Sequence, residues 1–149
     1  MSLNKTNIGL LLGDPSGIGP ELTVKLLDSD VSEKANILII GEKKVFEDGQ
    51  EIAGKKIDLK FVDKFDDVNF DGKTKFFLDI SKGTNRSYVK KQVCAESGKS
   101  VLEATEIALR LAKKNKIHAI NFAPMNKASL IQGGCEFNDE HELFQNRLN

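Results

Sequence analysis

The sequence predicts a three-layer α/β domain built around a mainly parallel sheet. Apolar runs of strand length alternate along the chain with segments of helical periodicity. The run at 36–41 is almost continuously apolar, which is typical of a strand buried on both faces. Turns rich in glycine or containing proline follow the first and the last of these strands, as expected where a parallel strand leads into a helix.

Length and composition restrict the classes of partner. The chain has 149 residues, enough for one domain with its own core. Lys plus Arg and Asp plus Glu each total 22, so the balanced charge gives no electrostatic reason to expect nucleic acid or a membrane. Cys94 and Cys135 lack the spacing of a metal or redox pair. No apolar stretch has the length of a signal-peptide core or a membrane span, so we expect a soluble, cytoplasmic protein.

The individual elements follow from hydrophobic periodicity. We predict strands at 8–12, 36–41, 57–62, 76–80 and 117–122, and helices at 20–28, 42–50, 127–132 and 139–148. A longer helix precedes the last strand, and its start has two alternatives. It begins at Ser100, where Ser100 and Glu103 would form a capping box, or it begins earlier and continues through Gly98.

The strand-to-helix turn at 13–21, Gly-Asp-Pro-Ser-Gly-Ile-Gly-Pro-Glu, organises the prediction of a site. Its glycines allow positive φ and close approach of the backbone, and a valine at Gly17 should destabilise the fold if that residue has positive φ. Pro20 presets the helical φ of a first turn. The helix N-terminus favours a carboxylate or phosphate, and Asp14 adds a carboxylate beside it. The alternative is a tight connection capped by Asp14 or Ser16.

A second turn, Pro-Met-Asn-Lys at 124–127, follows the last predicted strand. Ligands of parallel sheets gather at the carboxyl ends of the strands. Asp14, Asn126 and Lys127 are therefore candidates for one cleft.

Two nucleotide-binding motifs are incomplete. Gly-Lys-Ser at 98–100 resembles the end of a P-loop, but Val93 stands where the first glycine is required. The glycines at 17–19 lack the third glycine of the dinucleotide fingerprint. The usual NAD-binding pattern is therefore absent.

The two histidines have different surroundings. His118 lies in a predicted strand, where a core or edge residue is expected. His141 lies in the run Asp-Glu-His-Glu at 139–142. Three carboxylates around one imidazole would raise its pKa and orient it for proton transfer. In the alternative, the acidic run is a helix start that complements the helix dipole.

Four segments together resemble the 4-hydroxythreonine-4-phosphate dehydrogenase family: 13–21, 96–98, 123–127 and 137–142. The match extends from Ile8 to the last residue. The resemblance implies a two-domain fold similar to the isocitrate and isopropylmalate dehydrogenases, and a homodimer with its active site in an interdomain cleft. It also implies NAD bound without the usual fingerprint, a divalent metal, and a small phosphorylated hydroxy-acid substrate that is oxidised and decarboxylated.

The chain departs from the family at one motif. Family members have Gly-His-Thr-Glu where this chain has Asp-Glu-His-Glu at 139–142. Glu140 therefore stands at a substrate-binding histidine position, and His141 stands at the neighbouring threonine position. Phosphorylated threonate or erythronate becomes an alternative substrate. We expect Glu140, His141, Asp14, Asn126 and Lys127 to contact substrate in one pocket, with Lys127 attracting an anionic group and His141 donating a hydrogen bond.

The resemblance further implies that residues 1–149 are the N-terminal portion of a larger dehydrogenase. The family's metal-binding histidines and most of its cofactor contacts lie farther along the chain. No metal, catalytic or cofactor residue is therefore assigned here, and we expect this chain alone to be inactive and to expose apolar surface. The alternative is a truncated domain that only binds a ligand or a partner.

Overall fold

The structure is a computed structural model that describes residues 5–148. Five strands form one sheet: β1 (Asn7–Leu11), β2 (Asn36–Gly41), β3 (Lys60–Val62), β4 (Phe76–Asp79) and β5 (Ala119–Phe122). Five α-helices accompany them: α1 (Gly19–Leu27), α2 (Lys43–Ala53), α3 (Ala95–Lys113), α4 (Lys127–Gln132) and α5 (Glu140–Leu148). Short 3₁₀ helices span Asp30–Lys34 and Phe65–Asp67.

The sheet is parallel at every strand pair, in the order β3-β4-β2-β1-β5. This arrangement confirms the predicted α/β class. The strand β2 is buried along its whole length because β1 and β4 flank it and helices cover both faces. Its near-continuous apolar sequence follows from that position.

Alternate residues of the central strands face two separate cores. Leu11, Leu38 and Ile40 pack with residues of α3 on one face. Leu10 and Ile39 pack with residues of α1 and α2 on the other face. The helices therefore form the two outer layers, and each face of the sheet is covered by a different part of the chain.

Most of the predicted strand and helix boundaries differ from the structure by one to three residues, and β3 shows the largest difference among the strands. The strand predicted at 57–62 is paired only over Lys60–Val62, in register with Phe76–Leu78 of β4. Ile57 instead packs against the core beneath α1 and α2.

The helix α3 begins at Ala95, and Cys94 is its N-cap, so the earlier of the two predicted starts is confirmed and the capping box at Ser100 is wrong. Gly98 lies inside α3, at the point where α4 packs closely against that helix. A Cβ atom at Gly98 would lie 1.8 Å from the carbonyl oxygen of Ser129. The lack of a side chain at Gly98 thus fixes how near α4 approaches the start of α3.

Candidate functional site

An open cleft of about 310 Å³ lies at the carboxyl ends of β1 and β5. The chain leaves β1 through α1 on one face of the sheet and reaches β5 through α3 on the other face. Such a reversal of direction opens a crevice between neighbouring loops, where parallel sheets bind ligands. The lining comes from the turn after β1, the end of the β4–α3 connection and the turn after β5: Asp14, Ser16, Gly17, Ile18, Lys91, Gln92, Val93, Pro124, Met125 and Asn126.

The turn after β1 is held tightly against the turn after β5. Gly13 has a φ of 73°, and a Cβ atom there would lie 2.5 Å from the carbonyl oxygen of Pro124. The next residue, Asp14, donates its backbone N–H to that same oxygen at 3.0 Å. The predicted convergence of these two strand-end turns is confirmed, and glycine is required at position 13 for both conformation and space.

The capping role predicted as an alternative for Asp14 or Ser16 is wrong. The N-cap of α1 is Ile18, and no side chain caps this helix. The Asp14 carboxylate accepts the backbone N–H of Ser16 at 2.7 Å, so it stabilises the turn itself. Gly17 does not have positive φ, which removes the reason given for a destabilising valine there.

The same turn does not fit a dinucleotide. In a dinucleotide-binding turn, glycines make room for the pyrophosphate. Here Gly13 faces the backbone of Pro124, and a Cβ atom at Gly19 would lie 2.1 Å from the carbonyl oxygen of Leu12. These two glycines make room for neighbouring backbone, so residues 5–148 offer no pyrophosphate cradle at this turn.

Asp14 and Asn126 contribute side chains to the cleft from opposite turns. Asp14 is 4% exposed and borders the cleft. Asn126 is the N-cap of α4, and its Oδ1 accepts the backbone N–H of Ser129 at 3.0 Å. Asp14 and Asn126 therefore line the same cleft, as the sequence predicted. Their contact with substrate stays a prediction.

The N-terminus of α3 connects both turns. Ser97 shares a hydrogen bond with Ser16 between their hydroxyl oxygens at 2.7 Å, and the backbone N–H of Cys94 donates to Oγ of Ser129 at 3.3 Å. Burial alone would raise the pKa of the Cys94 thiol, but hydrogen bonds with the side chain and backbone of Ser97 outweigh it and hold that pKa below its ordinary value. A small polar network thus supports the floor of the cleft.

The third wall of the cleft was missed by the sequence prediction, which placed no residue of the β4–α3 connection in the site. The backbone N–H of Lys91 donates to the carbonyl oxygen of Ser16 at 2.8 Å, and Nζ of Lys90 donates to that of Pro15 at 3.0 Å. These bonds fasten the β4–α3 connection onto the turn after β1. The carboxyl-end rule applied to β4 would have pointed to this wall, because the long connection 80–94 leaves that strand end.

Lys127, Glu140 and His141 do not line the cleft. His141 and Lys127 are exposed, and Glu140 is half-buried at the start of α5. Asp139 accepts the backbone N–H of Glu142 at 3.0 Å. That hydrogen bond, with the positive charges of Lys127 and His141 nearby, holds the pKa of Asp139 below its ordinary value. Of the five predicted residues, Asp14 and Asn126 line this cleft, and the expectation that all five face one pocket stays a prediction.

The run at 139–142 instead behaves as the predicted alternative, a helix start. Asp139 acts on the first turn of α5 as an N-cap does, and acidic residues complement the helix dipole there. The geometry brings Lys127 and His141 near the same carboxylate, that of Asp139. A substrate contact by Glu140, His141 or Lys127 stays a prediction.

His118 is an exposed edge residue. Its Nδ1 accepts the backbone N–H of Asn7 at 3.0 Å, which ties the start of β5 to β1. Within residues 5–148 there is no group of three or more His, Cys, Asp or Glu that could hold a metal ion, so these residues do not fit a metal centre. No helix in this range is long and apolar enough to cross a membrane.

A second polar cluster lies farther along the same edge of the sheet. Glu42, directly after β2, is 5% exposed, and its Oε1 accepts hydrogen bonds from Arg86 at 2.9 Å and from the hydroxyl of Tyr88. Arg86 also donates to Glu103 on α3 at 2.7 Å. Burial and the bond to Glu42 raise the pKa of Tyr88 well above its usual range. Arg86 and Tyr88 belong to the same connection as Lys91, so this cluster anchors the third wall of the cleft.

Comparison with known proteins identifies the family. The family model described as pyridoxal phosphate biosynthetic protein PdxA matches residues 33–149. The chain belongs to the PdxA family. The resemblance stated from the sequence motifs is therefore confirmed.

Named relatives agree with PdxA membership. A Pasteurella multocida protein, provisionally named a 4-hydroxythreonine-4-phosphate dehydrogenase, is 37% identical over 145 residues. A Clostridium botulinum protein, provisionally named a D-threonate 4-phosphate dehydrogenase, is 30% identical over 141 residues. The chain is covered to 95% and 94% in these matches but spans only 43% and 42% of the relatives.

Solved structures show the same relation. The crystal structure of a 4-hydroxythreonine-4-phosphate dehydrogenase from Burkholderia phymatum superposes with a TM-score of 0.83 at 27% identity. It covers 96% of this chain, which in turn covers 43% of that structure. A Klebsiella pneumoniae structure, at 24% identity and a TM-score of 0.80, supports the fold alone.

Proposed function

We propose that this chain is the N-terminal portion of a PdxA-family dehydrogenase that oxidises the secondary alcohol of a phosphorylated hydroxy acid. The observation that carries the proposal is the cleft at the β1–β5 switch point, in a chain whose residues 33–149 match the family model and whose turn at 13–21 resembles a family motif. The names of the relatives support 4-hydroxythreonine 4-phosphate or D-threonate 4-phosphate as the substrate class. Decarboxylation after oxidation, NAD as hydride acceptor, a divalent metal and a homodimer belong to the same proposal.

The departure at 139–142 favours a substrate other than 4-hydroxythreonine 4-phosphate. His141 is exposed and Glu140 carries a negative charge where the family has a substrate-binding histidine. The substrate group that contacts this position in the family would therefore meet a side chain of different charge and hydrogen-bonding capacity. Phosphorylated threonate or erythronate is the preferred substrate within the proposal, in keeping with the name of the Clostridium botulinum relative.

We further propose that the 149-residue chain does not catalyse this oxidation by itself. Residues 5–148 fit neither a metal centre nor a dinucleotide cradle, and the chain spans 43% of the length of its Pasteurella relative. The specific alternative is a domain that binds a ligand in the cleft without chemistry. An intact cleft with supporting polar networks is compatible with that alternative.

The test compares the 149-residue chain with a chain extended to the length of the relatives. Each is supplied with D-threonate 4-phosphate or 4-hydroxythreonine 4-phosphate, NAD or NADP, and a divalent metal, and NADH and CO₂ are measured. We expect activity only in the extended chain, higher with the threonate ester. Activity in neither chain, with ligand binding retained, would favour the binding-only domain, and robust NADH formation by the 149-residue chain would overturn the fragment proposal.

A further inference from the structure

We infer that Asp14 and Asn126 bind the hydroxyl-bearing carbon chain of the ligand, and that a phosphate group of the same ligand lies outside this pair. The inference rests on the proposed function for the kind of ligand. The donor or acceptor character of each of the two side chains follows from the hydrogen bonds of the cleft itself.

Asp14 supplies a hydrogen-bond acceptor. The residue is 4% exposed, and one carboxylate oxygen accepts the backbone N–H of Ser16. The other oxygen has no hydrogen-bond partner within residues 5–148, although the side chain borders the cleft. This oxygen therefore keeps its capacity to accept a hydrogen bond from a group in the cleft. A ligand group that donates a hydrogen bond would satisfy it, whereas an anion would be repelled.

Asn126 supplies hydrogen-bond donors. Its Oδ1 is already occupied by the backbone N–H of Ser129, because Asn126 caps α4. With one lone pair of its oxygen engaged in this cap, the groups of the amide that have made no hydrogen bond are chiefly its two N–H donors. No residue in the range 5–148 accepts from these N–H groups, and Asn126 borders the same cleft as Asp14.

The two side chains therefore present opposite polarities from opposite turns. A hydroxyl group both donates and accepts, so a chain of adjacent hydroxyls can donate to Asp14 and accept from Asn126 at once. A phosphate dianion only accepts, and it would meet the Asp14 carboxylate. The cation of the lining is Lys91, on the third wall, and its Nζ has no hydrogen-bond partner within residues 5–148, whereas Nζ of the neighbouring Lys90 donates to Pro15. Asp14 and Asn126 together therefore fit the hydroxyl-bearing part of a phosphorylated polyhydroxy acid better than its phosphate group.

Two substitutions reverse the polarity of the pair and keep its structural bonds. In Asp14→Asn, the amide oxygen can still accept the N–H of Ser16, but an N–H₂ group replaces the second oxygen. In Asn126→Asp, the cap on Ser129 is retained because Asp and Asn cap helices equally well, but a carboxylate oxygen replaces the donors. The double variant exchanges donor and acceptor across the cleft. Asp66→Asn, an exposed aspartate in the β3–β4 connection, is the matched charge control.

The experiment is an NMR titration of the ¹⁵N-labelled 149-residue chain and these variants. The probes are D-threonate, inorganic phosphate and D-threonate 4-phosphate. We expect D-threonate and its phosphate ester to shift the amides of Ser16, Gly17 and Met125, and inorganic phosphate to leave them unchanged. Each single variant should weaken D-threonate binding at least tenfold, the double variant should recover to within about threefold of the native chain, and Asp66→Asn should match the native chain.

The outcomes distinguish failure of the inference about Asp14 and Asn126 from failure of the proposed function. Shifts at these amides with inorganic phosphate but not with D-threonate would overturn the inference and leave the proposed phosphorylated substrate standing. Binding of D-threonate without binding of its phosphate ester would support the pair and count against the proposed substrate. No binding of any probe, unchanged binding in the single variants, or a double variant as weak as the combined singles would overturn the inference.

Discussion

The two polar clusters at the carboxyl edge of the sheet differ in how their buried groups are satisfied. At the β2 end, Glu42 receives hydrogen bonds from Arg86 and Tyr88, and Arg86 also binds Glu103. At the β1–β5 end, Asp14 receives one hydrogen bond from Ser16, and its second oxygen borders an open cleft. Burial of a charge is tolerated when partners are supplied. The first cluster supplies them from the protein, whereas in the second the other oxygen of Asp14 has no protein partner within residues 5–148.

The comparison also assigns different roles to similar residue types. Glu42 and Asp14 both follow a strand directly or nearly so, and both are at least nine-tenths buried. Only the tertiary partners distinguish them. A carboxylate at a strand end is therefore a candidate for binding a ligand only where the surrounding protein does not satisfy its hydrogen bonds.

The largest effect is expected from breaking the paired cluster. Arg86→Met removes a guanidinium that is 12% exposed and leaves the Glu42 carboxylate buried with Tyr88 as its remaining partner. We expect a loss of about 3–5 kcal/mol in the free energy of unfolding. Urea unfolding measures it.

The control is a second cation of the same connection. Lys82 forms an ion pair with Asp63 at 3.8 Å in which both side chains are largely exposed. Lys82→Met should cost less than about 1 kcal/mol. Equal losses in the two variants would mean that the cluster around Glu42 contributes no more than a surface pair.

The next effect concerns the turn that forms the cleft. Gly13→Ala forces a side chain into positive φ and against the backbone of Pro124, and should destabilise the fold by about 2 kcal/mol or more. At Gly17, φ is not positive and the nearest atom to an added Cβ is 3.4 Å away. Gly17→Ala should be neutral or stabilise by up to about 1 kcal/mol. Urea midpoints of the two variants test this contrast, and a larger loss at Gly17 would contradict it.

The smallest effect is expected at a third carboxylate, Asp71, which has hydrogen-bond partners but is exposed. The backbone N–H groups of Thr74 and Lys73 and the hydroxyl of Thr74 lower the pKa of Asp71 to about 2. A pKa below the unfolded value means that this contribution to stability is present above about pH 4 and is lost as the pH falls through about 2. The stability advantage over Asp71→Asn should therefore shrink across that range.

Unfolding of the native chain and Asp71→Asn at several pH values measures this dependence, with Asp66→Asn as the control for loss of an exposed charge. Because Asp71 is on the surface, added salt should reduce the effect. A difference that grows toward pH 2 would contradict the assignment of the hydrogen bonds to the charged form.

Much of the fold was predictable because its signals are local. The apolar run at 36–41 identified β2, and the segment at 127–132 identified α4 with both its boundaries. Proline at the first turn identified the start of α1 within one residue. The paired extent of β3 was not predictable, since hydrogen bonding there depends on where β4 begins.

The sequence by itself determined the α/β class, the order of strands and helices along the chain, and the two turns that carry Asp14 and Asn126. Periodicity and turn chemistry encode these features within a few residues. Only the tertiary structure decided which strand ends became neighbours, that Lys91 joins the cleft, and that His141 does not. Those outcomes depend on strand order and on backbone contacts such as Gly98 against Ser129, which join residues far apart in sequence.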